Sequence, residues 1–289
     1  MSLQAPAATA EPTADGGLLE LAFRVAPGGR TALERRRQRF PLHCTTPLYL
    51  DPAVPGMPFV YVQNPTGGVF AGDRLRVAAA AGPETHVHLT TPAATKAYRM
   101  EAGHAEQLTE LTLESGAYVE LVPEPLIPQA GTRLSSRVSA TLADGSALVA
   151  AETVAPGRLA RDEVFAYEHL ELCTDVRDAG GSELCVDRLR LEPARRSPTA
   201  RGLLGGPGYV GTLLAVAPGR DGERLASSTD AVLAELPGVR AAAGAIADGA
   251  GSLARIIGST PGGVRRAIEA AWADARRELI GAPLPPRRK

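Results

Sequence analysis

The chain has almost no lysine. Of its 31 basic residues only Lys96 and the terminal Lys289 are lysine, and the other 29 are arginine. Cysteine is equally scarce. Cys44, Cys173 and Cys185 are too few and too scattered across 289 residues for a disulfide scaffold. None forms a CxxC pair, and the Cys173 to Cys185 interval fits no metal motif, so a zinc ribbon and a thioredoxin-type site are excluded and reduced thiols are expected. No stretch approaches the ~20 apolar residues of a membrane span. The opening MSLQAPAATAEPTADGG lacks the basic and apolar regions of a signal peptide. An excess of one charge is also missing: 31 basic residues against 32 acidic ones leave a net charge of −1. That balance argues against a protein built to hold nucleic acid or an anionic membrane. The expectation is a reduced, cytoplasmic setting.

What is present, from residue 18 to about 217, is period-two alternation. Leu19, Leu21, Phe23 and Val25 alternate with Glu20, Ala22 and Arg24, and Leu134 to Leu142 repeats the pattern. Further strand-like runs are 59–63, 74–80, 85–91, 118–122, 163–172 and 212–217, many separated by glycine turns such as ESGA, ADGS and DAGGS. Short strands between turns predict a mainly β protein: a mostly antiparallel sandwich, a barrel or a layered sheet. The last quarter changes character. Residues 227–236 and 239–248 are alanine-rich and read as short helices. The strongest helix follows, with Thr260 as N-cap, Pro261 in the first turn and Gly281 at C′. Val264, Ile268, Ala271, Trp272, Ala275 and Leu279 form its apolar stripe, while Arg265, Arg266, Arg276 and Arg277 lie mostly off it.

Four segments carry candidate chemistry. In NPTGGVFAGD, Gly67, Gly68 and Gly72 permit tight turns or close backbone approach and place Asp73. No GKT or GKS follows, and a strand rather than a helix comes next, so nucleotide binding is disfavoured. In ETHVHLTTPAATKAYR, His86 and His88 share one strand face at ~6.6 Å spacing, a pair that ligates a transition metal if a third donor arrives. The alternative is two histidines on a polar strand face. The same segment holds Lys96, a compact point charge where the rest of the chain uses arginine. In PEPLIPQAGTR three prolines hold Glu124 on a rigid path. PGRLARDE is a turn carrying Arg158, Asp162 and Glu163. No GxSxG or HExxH is present, and no nucleophile, base and orienter accompany the carboxylates, so an enzyme is not expected.

In order and spacing these pieces resemble the urease accessory protein UreD (UreH) family. The resemblance runs from LLELAF through PLY at Pro47, GGVFAGDRL at Gly67 and TTPAATKAYR at Thr90. It continues in PEPLIPQAGTR and GRLARDE and ends in the WADARRELIG helix. Departures are Phe70 and Ala71 inside the glycine run, Phe40-Pro41-Leu42, and Asp162 before Glu163. The resemblance implies an elongated, layered β-structure of helix-like winding, forming a single domain over 18–282 between a disordered leader (1–17) and a flexible tail (283–289). It also implies a non-enzymatic chaperone that binds UreF-like and UreG-like accessory proteins and apo-urease. A homodimer inside that complex is among the options, and neither nucleic acid nor membrane is involved. No tightly bound cofactor is implied, only nickel in transit to the urease metallocentre. The matching residues Asp73, Thr91, Lys96, Glu124 and Glu163 are expected to line or brace a nickel path, with Lys96 balancing a carboxylate such as Asp73 and with His86 and His88 as further donors. Gly67, Gly68, Gly72, Tyr98, Arg99, Gly157 and Arg158 complete the motif set. Their alternative role is a buried polar network that fixes loop geometry. Competing readings are a β-rich metal-dependent hydrolase using His86 and His88, and a generic β-sheet interaction module.

Overall fold

A computed structural model describes residues 16–206 and 208–285. Nearly all of the expected leader and part of the expected tail therefore lie outside the described residues. The chain opens with a hairpin, β1 (Gly17–Val25) and β2 (Thr31–Arg39), followed by β3 (His43–Cys44) and β4 (Phe59–Gln63). A repetitive winding comes next: β5 (Arg74–Ala81), β6 (His86–Thr90), β7 (Thr95–Ala97), β8 (Ala105–Leu113), β9 (Tyr118–Leu121), β10 (Leu126–Pro128), β11 (Arg133–Leu142), β12 (Ala147–Val154) and β13 (His169–Asp178). The chain closes with β14 (Glu183–Leu191), β15 (Tyr209–Val216), α1 (Gly222–Ala234), β16 (Val239–Ala245), β17 (Gly251–Gly258) and α2 (Pro261–Ile280).

Successive long strands alternate between two sheets. The first has the order β14-β13-β11-β8-β5-β1-β2 and the second β16-β17-β15-β12-β9-β6-β4-β3, with β10 paired to β12 and β7 to β10. Because each turn of the winding brings the chain back in the same direction, β1, β5, β8, β11 and β13 pair in parallel, as do β4, β6, β9 and β12. The result is a solenoid-like layered β-structure. A mostly antiparallel arrangement, the expectation from period two, is corrected here: among the described residues only the flanking pairs β1/β2, β3/β4, β13/β14, β12/β15, β15/β17 and β16/β17 are antiparallel. Period two reports which face is buried, and it is blind to strand direction.

Equivalent positions stack from one turn to the next. Ala79, Leu111, Ala140 and Val176 are register partners across four strands, as are Ala81, Leu113 and Leu142. These ladders fill the space between the sheets. A second core lies on the far face of the second sheet, where Met57, Val149, Leu213 and Ile256 pack against Val264, Ile268 and Trp272 of α2. Covered on both faces, β12 and β15 read as nearly continuous apolar runs. A methyl at Gly211 on β15 would sit 3.0 Å from Val264 Cγ1 and 3.2 Å from Ile268, so its absence lets α2 settle onto the sheet.

Thr260 caps α2 by accepting a hydrogen bond from Gly263 N, Pro261 occupies its first turn, and Gly281 ends it in the left-handed region. The whole predicted stripe is buried. Arg276 departs from the expected arrangement: it is fully buried, for the reason given below. The predicted helix over 239–248 is likewise corrected, because Val239–Ala245 is a strand whose burial alternates along β17. Alanine's helix preference is a few tenths of a kcal/mol per residue and yields to a sheet edge with a free partner. Among the described residues no helix is long and apolar enough to cross a membrane. The three cysteines are free thiols.

Candidate functional site

Between the two sheets lies a cavity of about 400 Å³. It runs from the β4/β5 side to β14/β15, and four strand spacings give it a width of ~19 Å. Leu75, Val77, Leu89, Val138 and Leu214 supply apolar wall, interspersed with Gln107, Thr109 and Ser136. Its two ends are polar and differ in construction.

The first end is built by the glycine run and the TTPAATK segment. Asn64 Nδ2 donates to Gly68 O (2.8 Å), and its Oδ1 accepts from Thr66 N (3.1 Å) and Thr66 Oγ1 (2.7 Å). Val69 N then donates to Lys96 O (2.7 Å), and Tyr98 N to Val69 O (2.9 Å). These bonds lay the glycine run directly on β7. A Cβ at Gly68 would fall well inside contact distance of Lys96 O and of the Tyr98 ring, so only glycine permits the approach. The exposed Phe70 ring stacks on Tyr98 at 4.6 Å. Next door, β7 pairs in parallel with β10, Lys96 opposite Ile127, and Glu124 N donates to Thr91 Oγ1 (2.9 Å). Gly67, Gly68, Thr91, Lys96 and Glu124 thus converge on the cavity wall.

Other predicted site residues lie elsewhere. Asp73 Oδ2 accepts from Phe70 N (2.8 Å) and closes its own turn, where Gly67 and Gly72 adopt positive φ. Lys96 is exposed, and no ion pair joins it to Asp73, the carboxylate named for it. Glu163 is a bracket. Arg158 grips its carboxylate with two nitrogens, Nε at 2.7 Å, and Ala130 N donates to it at 3.1 Å. The Arg158 hydrogen bond outweighs burial and, with Ala130 N, holds the Glu163 carboxyl below its ordinary range. The bracket fastens the GRLARDE turn, with Gly157 at φ +134°, to the PEPLIPQAG loop, against which the Arg99 side chain also packs at Gly131. Asp73 and Glu163 are not on the cavity wall.

The far end of the cavity holds residues that no motif singled out. Arg255 donates to Thr212 Oγ1 (2.6 Å) and Asp187 Oδ1 (2.5 Å), and Glu152 sits beside this pair. Burial first, then the Asp187 charge, pushes the Glu152 carboxyl up to about 7 against the opposing pull of Arg255. The sequence signal was a lone glutamate in the apolar run ALVAAETV.

His86 and His88 lead into a second polar centre, on the helix side of the second sheet. His88 Nδ1 meets Glu120 Oε2 at 2.7 Å, and Tyr118 Oη and Arg276 Nη1 each donate to Glu120 Oε1 at 2.7 Å. Arg276 Nη2 also donates to Asp51, whose other oxygen accepts from Ala53 N (2.8 Å). The His88 ring lies between Phe59, with centroids 4.3 Å apart, and Trp272 at 5.3 Å. His86 stands edge-on to Tyr118, and burial lowers its pKa. Burial would raise the Glu120 carboxyl, but the His88, Arg276 and Tyr118 interactions together hold it below its usual value. Among the described residues no three histidine, cysteine or carboxylate side chains are placed to hold a metal ion.

The structure thus defines a two-sheet β-solenoid with an internal cavity, polar at both ends, clasped at the back by a helix through buried charges. The chain matches the family described as UreD urease accessory protein over residues 15–289. A urease accessory protein UreD 2 of Streptomyces griseus subsp. griseus is 40% identical over 275 residues, which cover 94% of this chain and 93% of that protein. A urease accessory protein UreD of Haloarcula marismortui is 37% identical over 284 residues, 98% of this chain and 93% of that one, and one of Cenarchaeum symbiosum is 31% identical over 264 residues, 91% and 92% respectively. The chain belongs to the UreD urease accessory protein family.

Proposed function

We propose that the chain is a non-enzymatic assembly factor that binds apo-urease together with UreF-like and UreG-like proteins and passes nickel toward the urease active site. The observation that carries this reading, beside family membership, is the cavity between the sheets, with Lys96 and Glu124 at one end and Glu152 and Asp187 at the other. A metal in transit must leave as readily as it enters. A few oxygen donors along a wet path suit that task better than a closed thiolate cage. The hydrolase alternative fares worse, since the ring nitrogen His88 turns toward Glu120 is already committed to a buried hydrogen bond. The test is co-expression of urease with UreF-like and UreG-like proteins, with and without this chain. Nickel content and urease activity should fall together in its absence. Full activation without the chain, at limiting nickel, would refute the reading.

A further inference from the structure

The chain is nearly neutral, yet its positive charge is unevenly placed. The segment from Arg30 to Phe40 holds five arginines and one carboxylate, Glu34, which is paired with Arg24 at 3.0 Å. Four of these arginines, Arg35, Arg36, Arg37 and Arg39, lie on β2, the outermost strand of the first sheet. From Glu34 to Arg39 every residue is exposed, so both faces of this strand meet solvent beyond the edge of the sandwich. Among the described residues Arg37 alone of these four has an ion pair, a 3.5 Å contact with Glu20, which Arg76 shares. Arg35, Arg36 and Arg39 form no ion pair among the described residues, although Arg39 Nε donates to Gly16 O and Arg36 hydrogen-bonds the Cys44 thiol. Phe40, 74% exposed, extends the edge with a bare aromatic ring.

Charge on an edge strand is a common guard against aggregation, and one or two inward or lysine charges suffice for it. Four arginines in five positions exceed that need. Their planar guanidinium groups match carboxylates two bonds at a time. The outer edge of β2 also carries backbone donors and acceptors that no other strand pairs among the described residues. A strand supplied by another protein would satisfy them. We propose that β2 is a docking edge for an extended acidic segment of a partner protein, which joins the first sheet as an eighth strand with its carboxylates against Arg35, Arg36, Arg37 and Arg39. Nucleic acid is the lesser candidate: it offers nothing to a strand edge, and the chain's net charge is −1.

The test uses the full chain and three labelled probes: a peptide of alternating glutamate and valine, its lysine-valine counterpart, and a short single-stranded oligonucleotide. Fluorescence anisotropy should show binding of the acidic peptide alone, weakening with salt. Hydrogen exchange should slow at the amides of 34–39. Arg35→Glu with Arg37→Glu should weaken binding at least tenfold, with circular dichroism and Tm unchanged. If the double variant does not fold, Arg35→Glu alone, whose native side chain has no ion pair among the described residues, should still weaken binding severalfold. The proposal is overturned if the acidic peptide fails to bind, if the oligonucleotide binds more tightly, or if charge reversal leaves acidic-peptide binding intact.

Discussion

The centre formed by Glu120, Arg276, Asp51, His88 and Tyr118 makes a quantitative prediction. Glu120 and Arg276 are both fully buried and lie on opposite sides of the junction between the second sheet and α2. Truncating one partner of such a pair leaves an uncompensated charge, which costs about 3–5 kcal/mol. Glu120→Ala removes the acceptor of three hydrogen bonds but leaves Arg276 paired with Asp51, so the low end of that range applies. Arg276→Met removes the only arginine between two buried carboxylates, Glu120 and Asp51, and should cost more. At roughly 2–4 °C per kcal/mol for a domain near this size, the losses in Tm are ~6–12 °C and ~10–20 °C. The assay is thermal and urea unfolding, each followed by Trp272 fluorescence, because the sole tryptophan stacks on His88 and lies 5.9 Å from the Arg276 guanidinium. The pH dependence has a definite sign. The Glu120 carboxyl is held below its ordinary value in the folded chain, so its contribution is complete above pH ~4.5 and disappears as the pH falls through the lowered value. Costs under ~1 kcal/mol for both variants, or a smaller loss for Arg276→Met than for Glu120→Ala, would refute the argument.

Glu152 has the opposite sign. With its carboxyl raised to about 7, the folded chain holds a proton that the unfolded chain releases near pH 4.5, so stability falls as the pH rises between those values. The difference is worth up to ~3 kcal/mol. Glu152→Gln should flatten this slope in denaturant titrations from pH 5 to 8, and an unaltered slope would locate the raised group elsewhere. Gly68→Ala drives a methyl into Lys96 O and the Tyr98 ring, so it should cost about 1–3 kcal/mol and lower Tm measurably. A neutral Tm would mean that the glycine run moves away from β7 freely.

Several strands, the final helix and the family are legible in the sequence because each leaves a local signal, whereas β2, β8, β14, β16 and β17 lie outside the predicted runs and the run 163–172 becomes a strand only from His169. Period two marked the buried faces, Thr260, Pro261 and Gly281 bounded α2, and the motif order marked the family. Strand direction was not legible, because a parallel turn and an antiparallel one expose the same alternation. The burial of Arg276 is illegible for a related reason. Its position beside the stripe predicts solvent, and only Asp51 and Glu120, 225 and 156 residues away along the chain, make burial tolerable. The site was half legible. Thr91, Lys96 and Glu124 do reach the cavity, whereas Asp73 and Glu163, equally prominent in the motifs, close turns and fasten loops. A motif records that a residue is required, and a turn that must hold its shape requires residues as strictly as a path does. Glu152 and Asp187 belong to no motif, and their meeting depends on β12 and β14 facing each other across the winding.

The two polar centres also differ in what they leave free. Glu120 is held ionised with its oxygens engaged by His88, Tyr118 and Arg276, so a cation could bind there only by breaking bonds that fasten α2 to the sheet. Glu152 faces the cavity, accepts no side-chain hydrogen bond among the described residues, and keeps its proton up to about pH 7. A divalent cation arriving there would displace that proton. Its departure would restore the proton. Within the proposed conduit Glu152 is therefore the better carrier, and the motif carboxylates Asp73 and Glu163 are the better scaffold. Glu152→Gln should lower nickel delivery to urease at limiting nickel while Asp73→Asn acts mainly on stability. The reverse outcome would place the path outside the cavity.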